Sequence, residues 1–242
     1  MIKPKLELKY TVCKDCESVP VIVVAAGSSL RMNGVNKQLC EIGSVPVIVR
    51  TLLAFENCDA VSNIVLVVKT EDLFKIQFIC EKYNLTKLTD IVCGGASRQE
   101  SVLKGFERIP KDAEKVLIHD GARPLVSDSI IKSVVKGLER FSACGCGVKV
   151  KDTIKEIGVD GSILKTVPRE NLVAIQTPQG VRVKEYLEAT KNTDVSTFTD
   201  DLSIMEASGY LAGIVEGSYK NIKITTVEDL ALAESYLENY ND

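Results

Sequence analysis

Arg31 and Lys37 stand just beyond a tight small-residue loop, Ala25-Ala26-Gly27, which closes an unbroken apolar run, Val21-Ile22-Val23-Val24. A short run so rich in β-branched residues reads as a strand buried on both faces. Small residues at its end let a ligand approach the backbone and meet its N–H groups. Backbone donors followed by two fixed cations suit a nucleoside triphosphate: the donors hold the nucleoside end and the cations meet the phosphates. The loop fits neither G-x-G-x-x-G nor G-x-x-x-x-G-K-[ST], which excludes the dinucleotide fingerprint and the Walker loop. Read alone, the segment is also compatible with an ordinary strand-to-helix turn.

A second group follows the apolar run Val116-Leu117-Ile118: His119-Asp120-Gly121-Ala122-Arg123-Pro124. In a parallel sheet the ligand sits beyond the carboxyl ends of the strands, so Asp120 would face the Gly27 loop if the two strands are neighbours. A carboxylate in a phosphate site reads as a Mg²⁺ ligand; the plainer reading is a helix-capping Asp with an Arg partner. Gly94-Gly95-Ala96-Ser97-Arg98-Gln99-Glu100-Ser101 is another strand-end loop leading into a helix N-terminus, suited to a base or sugar. Gln176-Thr177-Pro178-Gln179, Thr199-Asp200-Asp201 and Lys220-Asn221-Ile222-Lys223-Ile224-Thr225 are polar insertions that could hold a phosphorylated polyol, though each alone reads as surface.

The rest of the composition narrows the chemistry. His119 is the one histidine in the chain, so His-rich metal sites are excluded and a Ser-His-Asp arrangement has a single possible base. Of eight cysteines, Cys13/Cys16 and Cys144/Cys146 form close pairs that could ligate zinc. The pairs are far apart, however, and the second lies in an apolar strand-like run, so the thiols read as small buried groups of a reducing compartment. A net charge of −3 without a basic stripe argues against nucleic-acid binding. No apolar run reaches membrane-spanning length, and the first ten residues lack a signal-like centre, so the expectation is a cytoplasmic protein.

These residues need elements to hold them. Strand-like segments at 21–26, 63–68, 89–93, 115–119 and 144–150 alternate with helical ones at 46–55, 71–83, 98–108 and 128–141. That alternation predicts an α/β fold, a mostly parallel twisted sheet with helices on both faces. Ser127 is placed to cap one helix, Ser97 to Glu100 form a capping box for another, and Thr226 with Asp229 opens a last helix to about residue 240. Residues 1–18 read as an extension outside a single domain at 19–242. Two alternating runs around Asp160-Gly161 predict a β-hairpin arm within about 151–175, which either lies on the surface or reaches a partner subunit.

In order along the chain stand Ala25-Ala26-Gly27-x-x-x-Arg31-Met32, Lys37-Gln38, Gly94-Gly95-x-x-Arg98-x-x-Ser101-Val102 and His119-Asp120-Gly121-Ala122-Arg123-Pro124. Asp152-Thr153, Gln176-Thr177-Pro178-Gln179, Thr199-Asp200-Asp201 and Glu216-Gly217-x-x-x-Asn221-Ile222-Lys223 follow. This succession, over about residues 19–236, resembles the 2-C-methyl-D-erythritol 4-phosphate cytidylyltransferase family. The resemblance implies a Rossmann-like nucleotidyltransferase fold and a homodimer. It also implies transfer of CMP from CTP to methylerythritol phosphate, in the non-mevalonate route to isoprenoid precursors. By the same resemblance Arg31 and Lys37 are catalytic cations at the α-phosphate, and Asp120 is the Mg²⁺ and ribose-side carboxylate. Ala25, Ala26, Gly27, Gly95, Ser101 and Gly121 would line the cytidine pocket, and Arg123, Thr177, Thr199 and Lys223 the sugar-phosphate site. Thr153 and Arg169 would reach the other subunit's active site.

Three positions depart from the family pattern: Ser29 replaces a second loop glycine, Asn36 stands where proline often precedes Lys37-Gln38, and Ala96 replaces a common acidic residue. The alternatives are a sister enzyme acting on ribitol 5-phosphate and a CTP-binding module without turnover. Arg169 with the Glu216-Gly217-Ser218-Tyr219 run favours methylerythritol phosphate over the first. Arg31, Lys37 and Asp120 together argue against the second, because a binding module needs no transition-state cations.

Overall fold

A computed structural model describes residues 18–27, 36–192 and 197–238. Arg31, Ser29, Cys13 and Cys16, and all of the predicted extension except Ser18, lie outside the described residues. The elements run β1 (Val19–Ala25), β2 (Glu41–Ile42), β3 (Val45–Pro46), α1 (Val47–Glu56), β4 (Val61–Val68), α2 (Leu73–Cys80), β5 (Leu88–Cys93), α3 (Arg98–Phe106) and β6 (Lys115–Asp120). They continue α4 (Asp128–Gly137), β7 (Ala143–Lys149), β8 (Ile154–Ile157), β9 (Ile163–Val167), β10 (Val173–Arg182), α5 (Val183–Asn192), α6 (Asp201–Ala207), β11 (Ala212–Glu216) and α7 (Val227–Glu238).

Seven strands form one sheet in the order β11-β7-β10-β6-β1-β4-β5. Every pairing in it is parallel except those of β10, which runs antiparallel to both β6 and β7. Side chains alternate across the sheet, as the two-residue strand period requires. Val21, Val23 and Ala25 of β1 pack with Ile48, Leu52 and Phe55 of α1 and Ile131 and Val134 of α4. Ile22 faces the other way, with Val102 and Phe106 of α3, Tyr186 of α5 and Leu202 of α6. Each such side chain, removed from water, contributes about 1.5–3 kcal/mol, enough to dominate the weaker propensities of these short helices.

The caps behave largely as their residue types demand. Ser127 Oγ accepts from the Ile130 N–H at 3.4 Å, and Ser97 Oγ accepts from the Glu100 N–H at 3.0 Å. Glu100 returns its carboxylate to the Ala96 N–H at 2.7 Å, one residue beyond the helix cap, so the box is displaced by a position. Asp229 accepts from the backbone N–H groups of Thr225 and Thr226 at 2.7 and 2.9 Å and closes the start of α7. The predicted helix at 71–83 is shorter, a 3₁₀ turn followed by α2, with Phe74 82% exposed on its outer face.

Two expectations need correction. Gln176-Thr177-Pro178-Gln179 is no surface insertion; it is the middle of β10, where the three polar side chains are buried and hydrogen-bonded. Asp200 and Asp201 are likewise structural: Asp200 caps α6 through the Ser203 N–H at 3.2 Å, and Asp201 is wholly buried. A polar run with a proline hides a strand whenever each polar group finds a partner inside. The hairpin arm is present as β8 and β9, with Gly161 at φ +82° in its turn.

Helix α3 approaches β1 at Gly105, where a Cβ would come within 2.4 Å of Ile22 Cγ2. Gly→Ala in a helix interior normally stabilises, but here the methyl must displace a fully buried, β-branched side chain. Gly105→Ala is therefore expected to destabilise the protein by about 1–3 kcal/mol, read as a lower urea midpoint. An unchanged or raised midpoint would show that α3 does not sit this close to the sheet.

Candidate active site

The carboxyl ends of β1, β5 and β6 converge. Val24 is in register with Asp120, and the Gly121 N–H continues the pairing to the Val24 carbonyl at 2.8 Å. Above them lies a cavity of about 350 Å³ whose wall includes Ala26, Gly27, Lys37, Gly95, Arg98, Ser101, Asp120 and Lys223. Ser101 shapes one side: its hydroxyl accepts from the Gly95 N–H at 3.0 Å and donates to the Ser97 carbonyl at 2.8 Å. Lys37, on a 3₁₀ turn capped by the Asn36 side chain, donates to the Ile224 carbonyl at 2.9 Å and so ties the first loop to the Lys223 segment.

Asp120 is the electrostatic centre. Lys223 Nζ lies 2.8 Å from its Oδ2, Arg123 Nε 3.5 Å from the same oxygen, and Arg98 Nε 3.7 Å from Oδ1. Burial alone would raise its pKa, but Lys223, then Arg98 and Arg123, hold the carboxyl well below the usual carboxylate range. Arg98 is itself held by Asp201 at 2.7 Å, and Asp201 accepts from the Tyr186 hydroxyl at 2.7 Å. Burial disfavours the guanidinium charge, yet Asp201 and Asp120 more than offset this and raise its pKa. Nη1 of Arg98 and Nε of Arg123 are buried and have no hydrogen-bond partner among the described residues.

A second, smaller cavity of about 210 Å³ shares Arg98, Asp120 and Lys223 with the first and adds Arg123, Thr177, Thr199 and Asp200. Its floor is a buried polar network. Thr177 Oγ1 accepts from the Asp120 N–H at 3.0 Å, and Gln179 Oε1 accepts from the Asp201 N–H at 2.9 Å. Asn221 Nδ2 donates to the Thr177 carbonyl at 2.9 Å, while its own carbonyl accepts from Arg123 at 2.8 Å. Gln176 Nε2 donates to the Ser218 carbonyl at 2.8 Å, so β10 anchors the stretch that carries Lys223.

Of the residues predicted from sequence, the structure brings Ala26, Gly27, Lys37, Gly95, Ser101, Asp120, Arg123, Thr177, Thr199 and Lys223 to the two joined cavities. Ala25 and Gly121 lie behind the wall: a Cβ on Gly121 would meet Ala25 Cβ at 3.0 Å in the core. Thr153 and Arg169 are exposed at the root of the arm, and Arg169 donates to the Lys151 carbonyl of its own chain. They line neither cavity. Arg98 and its support Asp201 went unassigned, although Arg98 stands at the first turn of a helix after a Gly-Gly strand-end loop, which is a recognisable anion-facing position. His119 is no base: it is fully buried, and burial pushes its pKa down to about 3. Cys144 and Cys146 are buried in β7, where burial pushes their thiols up to about 11 and about 12, so they are not thiolate ligands.

The family model for 2-C-methyl-D-erythritol 4-phosphate cytidylyltransferase matches residues 19–239. The enzyme of that name from Clostridium novyi is 46% identical over 230 residues, covering 93% of this chain and 97% of its own. The Bacillus cereus (strain ATCC 10987 / NRS 248) enzyme is 44% identical over 220 residues, 90% of this chain and 96% of its own. The crystal structure of 4-diphosphocytidyl-2C-methyl-D-erythritol synthase from Anaerococcus prevotii is similar with a TM-score of 0.80 and 32% identity, covering 92% of this chain and 96% of that one. The chain belongs to the 2-C-methyl-D-erythritol 4-phosphate cytidylyltransferase family.

In this cytidylyltransferase the donor set fits a Mg²⁺ ion. Asp120 is the one carboxylate among the described residues in the wall of the larger cavity, and its neighbours favour the charged form; Mg²⁺ takes one or two carboxylates while substrate phosphates and water fill the rest. The other grouping of possible ligands among the described residues, Cys58, Asp59 and Asp128, lines neither cavity, and the Cys58 thiol is pushed up to about 12, chiefly by burial.

Asp201 is wholly buried, and Arg98 is its ion-pair partner. Arg98→Leu is expected to cost about 3–5 kcal/mol of stability by leaving a buried carboxylate unpaired. Adding Asp201→Leu should recover part of that loss. Chemical unfolding of the two variants checks this; a double variant weaker by the sum of both singles would mean the pair is not coupled.

Proposed function

We infer that this protein transfers CMP from CTP to 2-C-methyl-D-erythritol 4-phosphate, giving CDP-methylerythritol and pyrophosphate. The observation that carries the reading is the shared wall: two adjoining cavities meet at Arg98, Asp120 and Lys223, as a two-substrate phosphoryl-type transfer requires. CTP takes the larger cavity, its cytidine against Gly27, Gly95 and Ser101 and its phosphates toward Lys37; the family resemblance assigns Arg31 to the same phosphates. The acceptor phosphate takes the smaller one, beside Arg123, Thr177, Thr199 and Lys223. One oxygen of that phosphate attacks the α-phosphorus, the bond to the pyrophosphate oxygen breaks, and the electron pair leaves with pyrophosphate. The nucleophile is already an anion, so no strong general base is needed. Catalysis is positioning and charge neutralisation. Asp120 would hold a Mg²⁺ ion, which when bound supplies charge stabilisation to the phosphates.

The protein works as a homodimer in the cytoplasm. Ile157, Ile163 and Leu164 are each more than 60% exposed on the arm, and Val173, Ile175 and Ile214 are exposed on β10 and β11, which supports burial against a second copy. Tyr219 donates to the Lys149 carbonyl at 2.6 Å and Lys151 Nζ lies 3.4 Å from the centre of its ring, so the arm root and the Lys223 segment are coupled. The described cysteines are all free, in keeping with a reducing compartment.

Pyrophosphate release with CTP and either methylerythritol phosphate or ribitol 5-phosphate tests the reaction. Turnover is expected with the first acceptor and at least about 10²-fold less with the second, since a site that hydrogen-bonds its acceptor rejects a mispaired analogue. The reverse preference would overturn the assignment of the acceptor. For the arm, Arg169→Ala and Lys223→Ala should each be nearly inactive, and mixed dimers should regain activity through one intact site per dimer. No regain after proven subunit exchange would put Arg169 and Lys223 at the same chain's site.

A further inference from the structure

His119 is wholly buried, lines neither cavity, and the transfer as derived above gives it nothing to do. Its two ring nitrogens are both engaged. Nε2 lies 3.2 Å from the Arg123 carbonyl, and Nδ1 lies 3.1 Å from Thr177 Oγ1. A carbonyl can only accept, so Nε2 carries the proton. The Asp120 N–H can only donate, and it donates to Thr177 Oγ1 at 3.0 Å. That leaves the threonine hydroxyl free to donate to Nδ1. The directions close consistently: Asp120 N–H to Thr177 hydroxyl, hydroxyl to Nδ1, Nε2–H to the Arg123 carbonyl. Phe55 holds the ring from the core side, edge to face, with centroids 4.8 Å apart.

We propose that His119 is a positioning residue for the transfer. Its imidazole joins the Asp120 backbone, the Thr177 hydroxyl and the Arg123 carbonyl in one directed chain of hydrogen bonds. The consequence is geometric: Asp120 on β6, Arg123 on the loop after it and Thr177 on the antiparallel β10 cannot shift separately. The proposal rests on the reading that Asp120 and Arg123 serve adjoining substrates, since only then does their mutual register matter to the reaction. A misplacement of about 1 Å in a reacting array costs on the order of 10²-fold in rate.

With one histidine in the chain, tag-free protein labelled with ¹⁵N-histidine gives a single imidazole spectrum. The expected spectrum has a protonated, pyrrole-type Nε2 and an unprotonated, pyridine-type Nδ1, and the Nδ1 signal should move in Thr177→Val. The opposite tautomer, or an Nδ1 signal indifferent to Thr177→Val, overturns the chain of bonds. Kinetics test its purpose. His119→Phe should keep the apolar packing but lower kcat by about 30-fold or more with a smaller change in the KM for CTP, while His119→Gln, which offers an acceptor and a donor, should recover to within about five-fold of wild type. The loss in His119→Phe/Thr177→Val should be close to that of the worse single variant, because both break one chain. Multiplicative losses, or a folded His119→Phe with wild-type kcat, overturn the role. If His119→Phe does not fold, His119→Gln, Thr177→Val and the spectrum decide alone. A wild-type protein that transfers CMP to neither acceptor sinks the reading of the reaction instead, and leaves the spectrum to judge the hydrogen bonds.

Discussion

A buried carboxylate surrounded by three cations holds this site together. Taking Asp120 out of water costs several kcal/mol unless its charge is met, and the cations that meet it come from separate parts of the chain. Arg98 opens helix α3, Arg123 follows strand β6, and Lys223 precedes helix α7. Those three repel one another, and the negative charge at their centre offsets part of that repulsion, while Asp201 and the Asn221 carbonyl hold Arg98 and Arg123 from outside. The same arrangement leaves the surrounding cavities rich in positive charge, with Lys37 added on one side. A triphosphate entering that space meets cations already placed, so little reorganisation remains for the reaction itself.

The sheet is what brings Asp120 to this point. Its register with Val24 sets the carboxylate beside the small-residue end of β1, while close approach of α3 at Gly105 brings the Arg98 end of that helix over the same strand ends. The antiparallel insertion of β10 between β6 and β7 is the less obvious device. It carries Thr177 to the Asp120 backbone, Gln179 to the start of α6, and Gln176 to the Lys223 segment. A parallel strand at that place would present these side chains in another register, and the acceptor side of the site would lose its floor.

Much of this was legible in the sequence, for a physical reason. Apolar runs such as 21–26 and 63–68 are strands whatever surrounds them, because nothing else buries so many β-branched side chains in so short a length. Ser97, Ser127 and Asp229 announce helix starts by local hydrogen bonding, and those caps form. The burial of residues 176–179 and of Asp201 was illegible for the opposite reason. Gln176, Thr177, Gln179 and Asp201 look solvated until their partners, tens of residues away in the chain, are known. Arg98 was passed over because its role depends on Asp201, and His119 because a buried neutral ring looks like a base until its hydrogen bonds are traced. The arm was found from Asp160-Gly161, but what it touches is not written in a single chain.

The most direct test of this account is the Mg²⁺ dependence of CMP transfer by Asp120→Asn, measured at saturating CTP and acceptor alongside CTP binding by calorimetry. The substitution keeps the shape and removes the charge. The account predicts that turnover falls by about 10²-fold or more, or demands far more Mg²⁺, while CTP still binds, because the cations that face its phosphates remain. Wild-type turnover at unchanged Mg²⁺ would contradict it, and Asp120 would then be no more than a structural partner of the three cations.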